Sequence, residues 1–209
     1  MTQLELVHPA PLDLRTMAAP RPDHLVIAQM VDENASVLDV GCDDGALIAL
    51  LAKECRAKAR GMERDSAKVA GCVSRGLSVV QGEAERDLAE FPSGAFNTVI
   101  FSHSLLNMQN PREVLRQAGR VGERVIISIA NAAHWRTRMR LISKGRTAWP
   151  ESAEHQLCSV RDLAATAREM RFSIDRAVPI SGGHAGAPFA KTLWRANWFA
   201  EEAVFLLIP

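Results

Sequence analysis

The feature that most constrains this chain is a junction where a short apolar run meets a glycine-bounded loop and then a helix. Ser36–Val40 is mostly apolar and ends at Gly41, and leucines recur at helical spacing over residues 44–55. Gly41 lets the chain turn sharply and approach a ligand, while Gly45 lets the helix pack close to the strand. The segment therefore predicts a strand, a tight loop and a helix, with a ligand-binding surface at the loop.

The same alternation of strands and helices continues along the chain. Successive βαβ units give a parallel sheet with helices on both faces, so the pattern predicts an α/β fold with a doubly wound, mostly parallel sheet. The predicted helices are 22–34, 44–55, 65–74, 111–120, 131–146 and 160–170, and the predicted strands are 36–41, 58–63, 77–81, 96–102, 124–130, 172–180 and 203–208.

Prolines and linkers suggest the domain limits. Residues 1–20 contain three prolines and no sustained period, so an extended or disordered lead-in is predicted there. No Ser/Gly linker divides the remainder, so residues 21–209 are predicted to form one domain.

Charge and composition narrow the class of partner. Lys and Arg number 25 against 24 Asp and Glu, and this net charge of +1 disfavours a general nucleic-acid binder. No apolar run reaches the roughly 18 residues of a membrane span, and Met1–Ala10 lacks the regions of a secretory signal. A cytoplasmic protein without a membrane or nucleic-acid partner is predicted. The four cysteines form no CxxC pair, which argues against a zinc site.

Acidic residues around the glycine loop indicate the ligand. Glu63 follows Gly41 by 22 residues, at the end of the second predicted strand, where a carboxylate can accept both hydroxyls of a ribose. A nicotinamide-type GxGxxG would need glycine where Asp43 and Ala46 stand, so NAD is poorly supported. Asp39, two residues before Gly41, instead suits a nucleoside that carries an ammonium group, as S-adenosylmethionine does. The alternative is a turn selected only for packing.

Six stretches of sequence, in order along the chain, carry a family resemblance. They are VLDVGCDDGALIALL (37–51), GMERD (61–65), CVSRGLSVVQGEAERDLAEFPSGAFNTVI (72–100), GRVGERVIISIAN (119–131), HWRTRMRL (134–141) and WFAEEAVFLL (198–207). The chain resembles the class I methyltransferases and, more narrowly, the MetW family of methionine biosynthesis, over about residues 21–207. The first three stretches are generic to the fold, whereas HWRTRMRL and the C-terminal stretch are more particular to MetW.

This resemblance implies a Rossmann-like class I methyltransferase fold with a seven-stranded sheet whose last strand is antiparallel. It also implies S-adenosylmethionine as the cofactor, and no catalytic or metal-binding residue is assigned. The candidate cofactor-binding residues are Asp39, Gly41, Cys42, Asp43 and Gly45 at the methionine end, Glu63 and Arg64 near the ribose, Glu83 and Ala84 on the adenine side, and Ser102 and His103 after the fourth strand.

Asp43 departs from the family, which has its middle glycine at this position. A carboxylate about 5 Å from that of the cofactor would cost on the order of 3 kcal/mol at an effective dielectric of about 20, roughly a hundredfold in affinity. Aspartate tolerates positive φ better than most residues, so the turn itself is expected to form. The sequence therefore predicts the loop but puts cofactor binding in question.

Two functions follow from these observations. The MetW family is associated with homoserine O-acyltransferase, so the resemblance implies a protein of methionine biosynthesis that supports this enzyme. The alternative is an active S-adenosylmethionine-dependent methyltransferase that acts on a small molecule. His103 is then either a general base facing the cofactor's methyl group or an ordinary loop histidine.

Two segments in the second half are candidates for contact with a partner. In residues 134–144, Trp135, Met139 and Ile142 share one helical face, and basic side chains occupy another. Such a helix either docks a partner or packs on the domain with a solvated basic face. Residues 150–154 replace a more characteristic stretch of the family, and a substrate or partner is expected there.

Overall fold

One mixed sheet forms the centre of the fold in the computed structural model, which describes residues 20–145, 156–189 and 193–209. Its strands are β1 (Ser36–Val40), β2 (Lys58–Glu63), β3 (Val79–Gln81), β4 (Phe96–Ser102), β5 (Gly122–Ala130), β6 (Ser173–Ser181), β7 (His184–Ala185) and β8 (Glu202–Ile208). Their order across the sheet is β3-β2-β1-β4-β5-β8-β6-β7. β1 to β5 are mutually parallel, and β8 runs antiparallel to both β5 and β6.

Eight α-helices in the described residues connect and flank these strands. They are α1 (Pro22–Ala28), α2 (Ala46–Glu54), α3 (Ser66–Ser74), α4 (Ala84–Asp87), α5 (Pro111–Val121), α6 (Trp135–Lys144), α7 (Val160–Glu169) and α8 (Leu193–Phe199). None of the described helices has the length and apolar character needed to cross a bilayer.

The central strands are apolar along their length because both faces of the sheet are covered. In β4, Val99 and Phe101 belong to a core cluster shared with α5 and α7, whereas Ile100 belongs to a second cluster shared with α1 and α2. All three side chains are fully buried. This two-sided burial explains why the strand lacks the alternation of a half-exposed sheet.

The strand order reverses between β1 and β4, and this reversal places the functional site. The chain proceeds from β1 towards β2 and β3 on one side and from β4 towards β5 on the other. In open α/β sheets the crevice at such a reversal is the usual ligand site. Gly41 follows β1 and His103 follows β4, so both lie at the carboxyl edge of this crevice.

The predicted α/β class, the doubly wound sheet and the antiparallel last strand are confirmed. The expectation of seven strands needs one correction, since the two-residue β7 adds an eighth at the sheet edge. The residues after β6, for which no element was predicted, close into a short hairpin, with glycines at 182 and 183 both at positive φ.

The helices differ from the sequence prediction in their limits and in number, and α6 begins at Trp135 rather than at 131. α1 ends at Ala28 rather than near Asn34, because the last turn tightens into a bond from Met30 N to Ile27 O and Asn34 adopts a φ of 60°. Residues 82–95 and the stretch of α8 have no predicted element, yet the first contains α4 and a 3-10 turn and the second forms α8.

Some predictions fall on residues outside the described ranges. These are residues 1–19 of the lead-in and the whole of 150–154. The division into a lead-in and a single domain over 21–209 therefore stays a prediction.

Candidate functional site

A cavity of about 680 Å³ opens at the carboxyl ends of β1, β2 and β4. Its volume is within the range of pockets that hold cofactor-sized ligands, roughly 300 to 1,000 Å³. Eight of the eleven predicted cofactor residues line it: Gly41, Asp43, Glu63, Arg64, Glu83, Ala84, Ser102 and His103.

The glycine loop forms the wall beside β1. Gly41 has a φ of +77°, and a Cβ there would lie 2.6 Å from Ser104 Cβ, so only glycine fits. Its backbone N–H donates to Met62 O at 2.8 Å, which joins the loop to the end of β2. Asp43 adopts a φ of 50°, so the turn predicted despite the lost glycine does form.

Glu63 holds this loop from the end of β2. Its Oε2 accepts from the backbone N–H of Asp43 at 3.0 Å, and its Oε1 accepts from that of Asp65 at 3.0 Å. An ionised carboxylate has about four acceptor positions, so these two bonds leave capacity for ligand hydroxyls. The residue predicted to bind a ribose thus also positions the glycine loop.

Asp39 lies buried in β1 beside the loop and does not itself line the cavity. Its Oδ1 has no hydrogen-bond partner. The pKa of Asp39 is raised to about 7, chiefly by burial and also by the nearby carboxylates of Asp23 and Glu63, against the opposing charge of Arg21. A buried acceptor without a partner is costly, so this oxygen suits a cationic ligand group or a water that such a group holds.

Asp43 forms an ion pair that its sequence position did not reveal. Its Oδ1 lies 2.6 Å from Lys68 Nζ, on the first turn of α3, and both side chains line the cavity. The hydrogen bond to Asp43 raises the pKa of Lys68, so the lysine stays a cation. The carboxylate expected to repel the cofactor is therefore paired with a positive charge.

A polar network lies under the opposite wall, centred on the buried carboxylate of Asp23 in α1. Ser102 and Ser128 each donate from Oγ to Asp23 Oδ2 at 2.8 Å, and Arg21 Nε donates to Oδ1 at 3.1 Å. Burial by itself would raise the pKa of Asp23, but the bond from Ser102 and the neighbouring positive charges outweigh it and lower the pKa. Asp23 is thus an anion that anchors the wall.

His103 extends this network to the cavity mouth. It has a φ of 55°, and its backbone N–H donates to Ser128 O at 3.2 Å and to Ser128 Oγ at 3.1 Å. Its Nε2 lies 3.6 Å from Asp23 Oδ2 and 3.4 Å from Glu202 Oε2. These three side chains offer ligand atoms within 4.8 Å of one another, but Arg21 already balances the charge of Asp23. We therefore describe a hydrogen-bonding cluster and not a metal centre.

The remaining predicted residues divide between the adenine side and the core. Ala84 is buried at the start of α4, and Glu83 precedes it with its backbone N–H bonded to Asp87 Oδ2 at 2.8 Å. The Cys42 side chain instead points into a small core cluster between α2 and α3. A Cβ on Gly45, at a φ of +74°, would collide with Leu77. Cys42 and Gly45 shape the loop from behind without lining the cavity.

Sequence reasoning missed two cations that line the cavity, Arg21 and Lys68. Arg21 precedes the proline that opens α1 and carries no local signal. Lys68 follows the helix cap Asp65 by three residues, and a first-turn position after β2 faces the glycine loop in a βαβ unit. The position of Lys68 in the first turn of the helix after β2 could therefore have identified it as a residue facing the glycine loop.

Solved structures with a similar fold are methyltransferases and at least one other enzyme. A possible histamine N-methyltransferase of Thermotoga maritima, described as S-adenosylmethionine-dependent, has a TM-score of 0.66 and 15% identity, covering 88% of this chain and 86% of its own. The [4+2]-cyclase SpnF has a TM-score of 0.65 and 18% identity, covering 88% and 79%. These likenesses show the class I methyltransferase fold, and the cyclase illustrates that the fold does not fix the reaction.

Comparison by sequence gives the family. The bifunctional methionine biosynthesis protein MetXA/MetW of Rhodopirellula baltica is 25% identical over 173 residues, which cover 75% of this chain and 28% of that relative. The chain thus spans little more than a quarter of the relative's length. The family model described as methionine biosynthesis protein MetW matches residues 21–207, and the chain therefore belongs to the MetW family.

Proposed function

We propose that this chain is an accessory protein of methionine biosynthesis that binds a homoserine O-acyltransferase in the cytoplasm and supports its activity. The observation that carries this proposal is the Rhodopirellula baltica relative, whose name joins MetXA and MetW in one chain. Two domains joined in one polypeptide meet at a high effective concentration. Separate chains must bind one another to stay equally close.

Copurification tests this proposal. We expect the acyltransferase from the same genome to copurify with this chain and to gain activity in its presence. Independent migration of the two proteins at micromolar concentration, with acyltransferase activity unchanged, would contradict it.

We also propose that the cavity binds S-adenosylmethionine. The unpaired Oδ1 of buried Asp39 supports an ammonium group nearby, and Glu63 retains acceptor capacity for ribose hydroxyls. Arg21 and Lys68 supply positive charge for a carboxylate, while Glu83 and Ala84 border the adenine side. When bound, the cofactor would supply an activated methyl group.

Calorimetric titration tests cofactor binding. Wild type should bind S-adenosylmethionine or S-adenosylhomocysteine, and Glu63→Ala should weaken binding because the ribose loses its acceptor and the glycine loop and the start of α3 each lose a hydrogen bond. Glu54→Ala, a change at an exposed glutamate in α2, is the matched control and should bind as wild type. No heat of binding at millimolar ligand would refute this part of the proposal.

A second function, methyl transfer to a small molecule, is favoured by the position of His103. Its imidazole lies at the cavity mouth, 3.6 Å from Asp23 Oδ2 and 3.4 Å from Glu202 Oε2, where it is placed to accept a proton from a nucleophile. Incubation with S-adenosylmethionine and a panel of small acceptors should then give S-adenosylhomocysteine, and His103→Gln should stop this while cofactor binding persists. Equal turnover in wild type and His103→Gln would exclude His103 as the base.

A further inference from the structure

Helix α6 exposes an apolar face that a helix of this pattern normally buries. Trp135, Met139 and Ile142 recur on one face, yet they are 40%, 51% and 77% exposed, and none of the ten residues of α6 is buried. The interpretation in which this face packs on the domain is therefore not what the structure shows. A ten-residue helix gains little stability in isolation, so an unburied apolar face indicates another binding surface.

Helix α8 adds aromatic side chains next to α6. The Arg138 guanidinium of α6 lies over the Trp198 ring of α8, 4.4 Å from its centroid. This cation–π contact joins the two helices. Trp194, one turn earlier in α8, is 57% exposed. We call Trp135, Met139, Ile142, Trp194 and Trp198, with the cations of α6, the α6–α8 surface.

The charge of α6 indicates which kind of partner surface would complement it. The helix carries Arg136, Arg138, Arg140 and Lys144 and no acidic residue, although the chain as a whole has a net charge of only +1. Arginine and tryptophan are the residues most enriched among the energetic centres of protein interfaces. An apolar patch with an acidic rim would complement this surface.

The α6–α8 surface also adjoins the cavity. Arg136 Nη1 lies 3.6 Å from Glu201 Oε1, and the next residue, Glu202, lies 3.4 Å from His103. Arg136 on α6 and His103 at the cavity thus contact adjacent residues at the start of β8.

We propose that the α6–α8 surface is where the homoserine O-acyltransferase docks, an inference that rests on the proposed function above. The MetXA/MetW relative supplies the occupant, since it joins the two functions in one chain. A basic helix with exposed tryptophan also resembles helices that lie on anionic membranes. The exposed apolar side chains divide between two helices that a cation–π contact holds together, and this favours a shaped protein surface over a planar bilayer.

Charge insertion into the apolar face tests the docking site. The purified acyltransferase of the same organism is titrated against wild type, Met139→Glu/Ile142→Glu and, in α8, Trp194→Ala. We expect a loss of at least about tenfold in affinity in both variants, because acidic or truncated side chains cannot fill an apolar partner surface. Val73→Glu, at an exposed valine of α3, is the matched control and should bind as wild type. Retained cofactor binding in each variant verifies the fold.

Each outcome separates this inference from the proposed function. Equal binding by wild type and both surface variants would overturn the docking site and leave the partnership standing. Failure of wild type itself to bind the acyltransferase would overturn both. Vesicles containing phosphatidylglycerol are titrated in parallel, and binding to them that the double variant loses, without acyltransferase binding, would assign the surface to a membrane.

Discussion

At the scale of single residues, Asp43 is where sequence and structure give different expectations for cofactor affinity. The sequence predicts repulsion, whereas the structure pairs the carboxylate with Lys68 at 2.6 Å. Because both side chains are about half exposed, the pair offsets the charge only in part. We expect Asp43→Gly to raise affinity for S-adenosylmethionine by less than tenfold, well short of the roughly hundredfold expected for an unpaired carboxylate.

Removal of the lysine should have the larger effect. Lys68→Ala leaves Asp43 unpaired and should weaken binding roughly tenfold, and Asp43→Gly in that background should recover most of the loss. Lys53→Ala, which removes another ion-paired lysine on α2, is the control. Additive effects in this calorimetric double-mutant cycle would mean that the two side chains act on the cofactor independently.

We expect Asp39 to make affinity for the proposed cofactor depend on pH. With a pKa of about 7, its carboxyl group is mostly protonated at pH 6 and mostly ionised at pH 8, and only the ionised form attracts an ammonium group. Affinity for S-adenosylmethionine should therefore rise roughly tenfold from pH 6 to pH 8. Titrations at both pH values should show a flat, weaker profile for Asp39→Asn, and His103→Gln should keep the rise.

The stability of the ligand-free protein should change with pH in the opposite direction. The folded pKa of Asp39 exceeds its ordinary value of 3.8, so the folded state binds more protons between pH 3.8 and about 7. The free energy of unfolding then falls as pH rises through this range. In denaturant titrations, Asp39→Asn should remove this part of the fall, and an unchanged slope would show that Asp39 is already ionised.

At the scale of helices and strands, Asn131 holds together the elements that present the α6–α8 surface. Its buried Nδ2 donates to the carbonyls of Ala196, Asn197 and Ala200 at 3.4, 3.0 and 2.8 Å, at the end of α8. Its Oδ1 accepts from Val160 at 3.4 Å, at the start of α7. Asn131→Ala should lower the free energy of unfolding by about 2 to 4 kcal/mol, because several buried carbonyls lose their donor.

The measurement for Asn131 is chemical denaturation with a matched asparagine as control. Asn97 is exposed on β4 and bonds to Ser36, so Asn97→Ala should cost less than about 1 kcal/mol. Equal losses in the two variants would show that the position of Asn131 has no special importance.

The elements predicted most accurately are those whose own sequence indicates that they are buried. β4 is predicted at its observed limits, 96–102, because Val99 to Phe101 form a continuous apolar run buried on both faces. β2 is also predicted at its observed limits, 58–63, although only Gly61 and Met62 in it are buried. α8 could not be predicted because its two exposed tryptophans give no inward-facing stripe, and only Ala196 and Asn197 are buried.

The site is predictable where it follows a strand end and unpredictable where it depends on side chains distant in sequence. The glycine loop, Glu63 and His103 all follow strands. The ion pair of Asp43 with Lys68 and the bonds of Asp23 to Ser102 and Ser128 join elements that only the folded sheet brings together. These contacts set the charge of the cavity wall, and no local sequence pattern indicates them.

At the scale of the whole molecule, a nearly neutral chain concentrates positive charge on one helix. With a net charge of +1 overall, four cations on α6 give a local field that acts over about 10 Å at 0.1 M salt. In the proposed complex, we expect long-range attraction of this kind to speed encounter with an acidic partner and the apolar side chains of the α6–α8 surface to govern the lifetime.

Salt should therefore separate the two contributions in stopped-flow or surface-binding kinetics with the acyltransferase. Raising NaCl from about 0.05 to 0.5 M should slow association roughly tenfold and change dissociation by less than about twofold, because screening weakens steering but not apolar contact. Arg140→Glu should slow association similarly at low salt. Lys58→Glu should not, since Lys58 begins β2 at the amino ends of the parallel strands, whereas α6 follows the carboxyl end of β5. If Lys58→Glu slowed association as much as Arg140→Glu, the effect would come from net charge and α6 would have no privileged role in the encounter.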